Sequence, residues 1–353
     1  MNAVEVLREL VAIDSTSARS NLPVLDALER HARALGFQTR RLAYGSEKAN
    51  LICSRGGEKG GLALVGHTDC VPFDAAWDGA LKPEEREGKL FGRGAADTKA
   101  FLAAALTAAS RTSKGPLQLV FTADEEAGCI GARKLQDEGA LRPRYAIVGE
   151  PTRLTPVIGH KGYCLAEVIV RGAEGHSAYP ETGKSAIFAA GRMLGEIEKI
   201  GQELQGERDA EFSPPYTTLN VGLIQGGKAK NVIPGSCSFT LEWRPLPSQE
   251  PSRVLHMVQQ LGLGEVNVQR LDKGILQARN SPLVEFLRER TGNAPETIPF
   301  GTELPYLAAL GAQACVFGPG DIRVAHRTGE FVPLDELHKA VDILAAAIEK
   351  FAA

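Results

Sequence analysis

Four apolar runs in this chain end abruptly in acids or histidine, and this pattern most constrains what the chain can fold into. Leu119-Val120-Phe121-Thr122-Ala123-Asp124 runs into the paired acids Glu125-Glu126. Leu62-Ala63-Leu64-Val65-Gly66 stops at His67, then Thr68 and Asp69. Tyr145-Ala146-Ile147-Val148-Gly149 stops at Glu150, and Ala314-Cys315-Val316-Phe317 leads into a loop that reaches His326. Short apolar runs of this kind read as buried strands, and a bare carboxylate at the end of one is costly unless something cationic meets it. Ligands of open α/β sheets sit at strand ends, so the pattern predicts a sheet with a polar site at one edge.

Helical repeats alternate with these strands. Leu22 to Leu35 reads as a helix capped by Ser20 or Asn21, with Pro23 in its first turn and Gly36 as its stop. Ala100 to Ala109 is almost wholly apolar, the mark of a helix buried beside a sheet, and Ala340 to Phe351 closes the chain with another. Strands alternating with helices predict an α/β fold whose mixed, mostly parallel sheet is flanked by helices.

The middle of the chain reads differently. Between Gly172 and Lys273 lie longer alternating strands, Thr217 to Gln225 and Cys237 to Arg244, with helices at Ser185 to Leu204 and Ser252 to Leu261. The polar stretch Gly206 to Pro215 reads as a loop. Two helices on one antiparallel sheet suggest an inserted α+β domain. The expected organisation is therefore a discontinuous first domain, 1–171 with 274–353, and a lid over 172–273.

His67, Asp97, Glu126, Glu150 and His326 form a mixed imidazole and carboxylate set, the ligand chemistry suited to zinc and related divalent ions. A lone histidine or acidic pair is most often structural; it is the coincidence of five such groups, at the ends of apolar runs and flanked by Gly or Pro, that points to a metal. Asp97 offers a carboxylate able to bridge two ions, and a pair of ions roughly 3.5–4 Å apart lowers the pKa of bound water to about 7. Glu125 is left over, placed to take a proton from that water and later pass it to a leaving amine.

At these residues the chain resembles a known family. Gly66-His67-Thr68-Asp69-Cys70-Val71-Pro72, Gly92-Arg93-Gly94-Ala95-Ala96-Asp97-Thr98-Lys99, Thr122-Ala123-Asp124-Glu125-Glu126 and Gly149-Glu150-Pro151-Thr152 are similar to signature blocks of the zinc-dependent deacylase and carboxypeptidase family. Gly175-His176-Ser177-Ala178, Asn231-Val232-Ile233-Pro234, Arg244-Pro245-Leu246-Pro247 and Gly318-Pro319-Gly320-Asp321 leading to Ala325-His326 extend the match over nearly the whole chain. The resemblance implies two divalent ions per subunit, zinc or cobalt, with His67 and Glu150 on one, Glu126 and His326 on the other, and Asp97 between them. It implies Glu125 as general base and Asp69 as a hydrogen-bond partner that orients the His67 ring. In the family the peptide after the bridging acid, here Asp97-Thr98, is often cis.

The resemblance further implies that His176 reaches the metal centre of a partner subunit and donates to the oxyanion, so a homodimer paired through the lid is expected. Asn231 and Arg244 resemble residues that hold a substrate carboxylate, a task suited to a planar guanidinium. Thr302, in Gly301-Thr302-Glu303-Leu304-Pro305, resembles a pocket-lining loop of the acetylornithine deacetylase branch. The implied reaction is removal of an acyl group, expected to be acetyl, from an α-amino acid. N-acetylornithine is preferred, ahead of N-acetylcitrulline, succinyl-diaminopimelate, an acyl-lysine or a dipeptide. Two departures stand out: Gly329 occupies the place where an acidic residue usually precedes Glu330, and Thr98-Lys99-Ala100 replaces the more usual Met-Lys-Gly.

Composition narrows the rest. A chain of 353 residues, 43% of them apolar, has the length of about two domains. Its 40 basic and 43 acidic residues give a net charge of −3 without a basic block, which argues against nucleic acid as a partner. No apolar run reaches the ~18 residues of a membrane span, and Met1-Asn2-Ala3-Val4-Glu5-Val6-Leu7-Arg8 lacks the cationic-then-apolar order of a secretory signal; a cytoplasmic enzyme is expected. The six cysteines, at 53, 70, 129, 164, 237 and 315, form no Cys-x-x-Cys pair and read as small buried apolar residues. Two other classes are weaker. A catalytically silent metal or metabolite binder would be expected to lack the base, yet Glu125 is present, and Gly92-Arg93-Gly94 has no glycine at the next position of a dinucleotide fingerprint.

Overall fold

The strands Leu62–His67, Leu117–Thr122 and Tyr145–Val148 are buried at every position, as continuous apolar runs become when both faces of a sheet are covered. The computed structural model describes residues 1–352, and its chain divides into two compact units. The first holds 1–158, 277–296 and 302–352; the second holds 159–276 and 297–301.

In the first unit Leu117–Thr122, Leu62–His67, Tyr145–Val148 and Gln313–Val316 lie side by side in that order, all parallel. Antiparallel strands flank this centre: Lys48–Arg55 and then Gln38–Tyr44 beyond Leu117–Thr122, and Val157–His160 beyond Gln313–Val316. The helix Lys99–Ala109, buried along its whole length, packs against Ala3–Val11 and Leu334–Phe351. That last helix begins at Leu334, ahead of the expected Ala340, because its first turn carries Asp335 and Glu336 and gives no apolar signal. At the start of Leu22–Ala34 the Ser20 hydroxyl accepts the Leu22 N–H at 3.3 Å. Asn21 is buried and works elsewhere, donating to the Ala49 carbonyl at 2.9 Å and the Thr68 hydroxyl at 3.0 Å.

The second unit is a four-stranded antiparallel sheet, ordered Thr218–Gly226, Ser236–Arg244, Tyr163–Arg171, Glu265–Asp272. Burial alternates along Tyr163–Arg171 and Ser236–Arg244, and their inward residues meet Met193 and Ile197 of helix Ala186–Leu204 and Val254 and Val258 of Ser252–Gln260. The expected boundaries at 171/172 and 273/274 are displaced. Tyr163–Arg171 is an interior strand of this sheet, paired on both sides, so the division falls at 158/159 and 276/277.

Candidate metal centre

Every residue of the expected ligand set lies in the first unit, delivered to one end of the parallel strands. His67 is the last residue of its strand, Glu126 follows Leu117–Thr122 after a turn, and Glu150 follows Tyr145–Val148. Gly149 precedes Glu150 because nothing larger fits: a Cβ there would stand 2.1 Å from the Phe101 ring. Asp97 comes just before the helix Lys99–Ala109, and the Asp97-Thr98 peptide is cis. His326 adopts a left-handed backbone, φ 60°, a conformation uncommon outside glycine that clusters at functional sites.

Two groups of potential ligands result, sharing Asp97: His67 with Asp97 and Glu150, and Asp97 with Glu126 and His326. Within each group the offered atoms all lie within 4.8 Å of one another. His67 Nε2 stands 3.0 Å from Asp97 Oδ1, and His326 Nε2 stands 3.2 Å from Asp97 Oδ2 and 2.9 Å from Glu126 Oε1.

The electrostatics describe a site with surplus negative charge. Burial pushes Glu150 well above the ordinary carboxylate range and raises Glu126, with Asp97 adding repulsion at both. Burial lifts Glu125 to about 8; the charge of His67 opposes this, while Glu126, Glu303 and Asp97 reinforce it. Asp97 alone is lowered: burial works against its charge, but contacts with His326 and His67 prevail. Hydrogen bonds to Asp97 and Glu126 lift His326 to about 10. Four carboxylates facing two imidazoles suit divalent cations in charge as well as in donor type.

Asp69 is at the site in a different role from the one expected. His67 Nδ1 meets the Asp69 main-chain carbonyl at 3.0 Å, whereas the Asp69 carboxylate is 3.7 Å away. That carboxylate instead accepts the N–H of Glu125 at 3.1 Å, the N–H of Glu126 at 3.3 Å and the Ser17 hydroxyl at 2.7 Å. It is buried completely and braces the turn that presents Glu125 and Glu126. Ser17 lies in a stretch without a periodic or metal-ligand pattern.

Two further groups were not legible. The Cys129 thiol donates to Glu125 Oε1 at 3.3 Å, a contact that places one of the six buried cysteines, none of them in a disulfide, against the candidate base. Glu330 is wholly buried and accepts from Arg93 and from the main chain at Asp97. The acid at 330 was visible in the sequence, but the strand pairing that carries it there was not.

The remaining expected residues fall in separate places. Thr302 belongs to the first unit, where its buried hydroxyl accepts the Leu304 N–H at 3.2 Å and caps the helix Leu304–Ala309. His176, Asn231 and Arg244 belong to the second. The strand Gly175–His176 pairs with Val232–Ile233, and the Ser177 N–H donates to the Asn231 carbonyl, so His176 and Asn231 are neighbours. His176 is exposed, and its Nδ1 accepts the Ala178 N–H at 3.1 Å. Arg244 pairs with Glu242 at 2.7 Å and lies over the Tyr163 ring.

Known proteins share both sequence and shape. The description of peptidase family M20/M25/M40 matches residues 63–350. An acetylornithine deacetylase of Myxococcus xanthus is 52% identical over 365 aligned residues, covering 98% of this chain and 96% of that one. Another acetylornithine deacetylase, of Pasteurella multocida, is 34% identical over 96% of this chain and 94% of its own. Among solved structures, an M20 family metallo-carboxypeptidase of Sulfolobus solfataricus superposes with a TM-score of 0.82 at 18% identity, covering 99% of each chain. A tripeptidase of Staphylococcus aureus superposes with a TM-score of 0.81 at 23% identity, covering 99% of this chain and 98% of that one.

Proposed function

Because the chain belongs to peptidase family M20/M25/M40, we propose that it is a metal-dependent amide hydrolase that converts N-acetylornithine and water to ornithine and acetate. The observation that carries the substrate is the 52% identity with an acetylornithine deacetylase across 98% of the chain. The metal requirement is supported by two adjoining ligand groups that share Asp97 and carry surplus negative charge.

His67, Glu150 and Asp97 would hold one ion, and Asp97, Glu126 and His326 a second, zinc or cobalt. Such ions supply polarisation of the acyl carbonyl and acidification of a bound water. Glu125 takes one proton from the attacking water as the oxygen bonds to the acyl carbon. As the carbon–nitrogen bond breaks, the same carboxyl delivers that proton to the departing amine. Asp69 holds the Glu125 main chain, and the Cys129 thiol contacts the carboxylate. Asn231 and Arg244 are assigned to the substrate carboxylate, and Thr302 to the pocket wall through the loop it caps.

His176 is assigned to the oxyanion of a partner subunit's site. With Nδ1 accepting the Ala178 N–H, the neutral ring carries its proton on Nε2 and can donate from there. The homodimer that this requires is supported by the edge strand Thr218–Gly226, whose Leu223 and Ile224 are 71% and 57% exposed, and by Phe188, 75% exposed on the neighbouring helix. An apolar, unpaired edge of this kind is suited to pairing with a second copy. Among the described residues no helix is long and apolar enough to cross a membrane, and six cysteines without a disulfide suit the reducing cytoplasm.

The test is a substrate panel with purified protein and added zinc or cobalt. N-acetylornithine should give the highest kcat/KM among N-acetylcitrulline, succinyl-diaminopimelate, an acyl-lysine and a dipeptide. A higher value for any other member reassigns the substrate, and no metal-dependent turnover of any of them removes the reading.

A further inference from the structure

A small antiparallel sheet brings together two segments far apart in the sequence. Phe331–Pro333 pairs with Lys89–Phe91, which pairs in turn with Glu84–Arg86. The main-chain carbonyl of Glu330 accepts the Gly92 N–H at 3.0 Å, so Glu330 is docked beside the loop running from Gly92 to Asp97. Its side chain, 0% exposed, then makes three contacts: Oε1 accepts the N–H groups of Ala96 at 3.0 Å and Asp97 at 3.1 Å, and Oε2 accepts from Arg93 at 2.6 Å. Arg93 is itself 4% exposed, with the Pro72 carbonyl at 3.4 Å and the Trp77 ring at 5.4 Å.

Replacing a buried ion pair with packed apolar groups is often neutral or stabilising, so such a pair is weak evidence of a stability role. Here the carboxylate has a second task. It grips the main chain of Asp97 directly and lies four residues after His326 in the same segment, and the side chains of Asp97 and His326 meet at 3.2 Å. One buried carboxylate thus sets both the acid shared by the two ligand groups and the histidine that approaches it. Gly329, with φ 81°, supplies the left-handed turn between them.

We propose that Glu330, seated by Arg93, is a positioning residue of the metal centre, fixing the distance between Asp97 and His326 through the main chain. The proposal rests on the reading of Asp97 and His326 as metal ligands. Groups that hold ligands in place from behind typically contribute about 10–100-fold in metal affinity or activity.

The experiment measures zinc affinity by competition with a chromophoric chelator, on protein shown to be folded by circular dichroism. In Glu330→Gln, which keeps an acceptor for the two N–H groups but removes the anion facing Arg93, zinc affinity should fall about 10-fold or more. In Glu330→Ala, which removes the acceptor too, it should fall further. KM for N-acetylornithine should stay within about twofold of wild type, and kcat should recover in part at saturating zinc, which a packing defect would not produce. Should Glu330→Ala fail to fold, Glu330→Gln and Arg93→Lys carry the same measurement. Zinc affinity within twofold of wild type in the folded variants overturns the inference. Wild-type protein that binds no zinc overturns instead the metal reading beneath it.

Discussion

The carboxylate of Asp69 accepts the Glu125 N–H at 3.1 Å while staying 3.7 Å from the His67 ring. The acid two residues after the first histidine therefore holds Glu125 more directly than His67. Asp69→Asn puts an amide donor against at least one existing donor, the Glu125 N–H on one side or the Glu126 N–H and Ser17 hydroxyl on the other. Steady-state kinetics should show kcat reduced about 10–100-fold with KM little changed. An unchanged kcat would remove this brace from the account.

Sharing of Asp97 between both ligand groups makes its loss different from that of the other ligands. Asp97→Ala should bind neither ion tightly, while Glu150→Ala should keep one. Native mass spectrometry counts the ions, and two tightly held ions in Asp97→Ala would contradict a shared ligand.

Glu303 sets a pH dependence. Its carboxylate is buried, and burial pushes its pKa from 4.5 to about 7, against the lowering effect of the Thr122 hydroxyl and the charge of His67. Below pH 4.5 the group is protonated whether the chain is folded or unfolded. Between 4.5 and about 7 the unfolded chain ionises first, so the stability this group contributes is lost as pH rises, by about 3 kcal/mol in all. Glu303→Gln mimics the protonated form. Denaturant titrations of metal-free protein should find wild type and variant alike near pH 4.5 and the variant more stable by up to that amount at pH 8. A difference independent of pH would show that Glu303 is ionised throughout.

Exposed apolar residues on the edge strand and the histidine of the second unit lead to a complementation test. Inactive His176→Ala is mixed with inactive Glu125→Gln under conditions of subunit exchange. If His176 serves the partner's site, each mixed dimer holds one site with both defects and one with neither, and activity reappears. Exchange without recovered activity, or an active monomer, returns His176 to the role of a loop histidine.

The parallel centre of the first sheet and the cluster of acids and histidines at its end were legible because buried strands and the polar residues that close them leave dense local signals. Runs such as Leu62–His67 are apolar throughout, and acids or histidines follow them within a few residues. The helices of the second unit were legible from 3.6-residue periodicity. Three-residue strands such as Phe331–Pro333 leave almost no signal, so the route by which Glu330 reaches Asp97 could not be read. Tyr163–Arg171 continues closely from Val157–His160 without a compositional break, which hid the true division at 158/159. Ser17 and the turn at Glu125 and Glu126 meet the Asp69 carboxylate across more than fifty residues of sequence, and the Cys129 thiol reaches Glu125 within an irregular turn; such contacts have no period.

In the proposed mechanism Glu125 moves the proton over a metal centre it does not help to bind. One preparation of Glu125→Gln decides it, with bound zinc counted by mass spectrometry and N-acetylornithine turnover measured on the same sample. Zinc content should equal that of wild type, with kcat lowered by at least about 10²–10⁴-fold, the contribution of general acid–base catalysis. Turnover near wild type at full zinc content, or loss of zinc in step with activity, would contradict it.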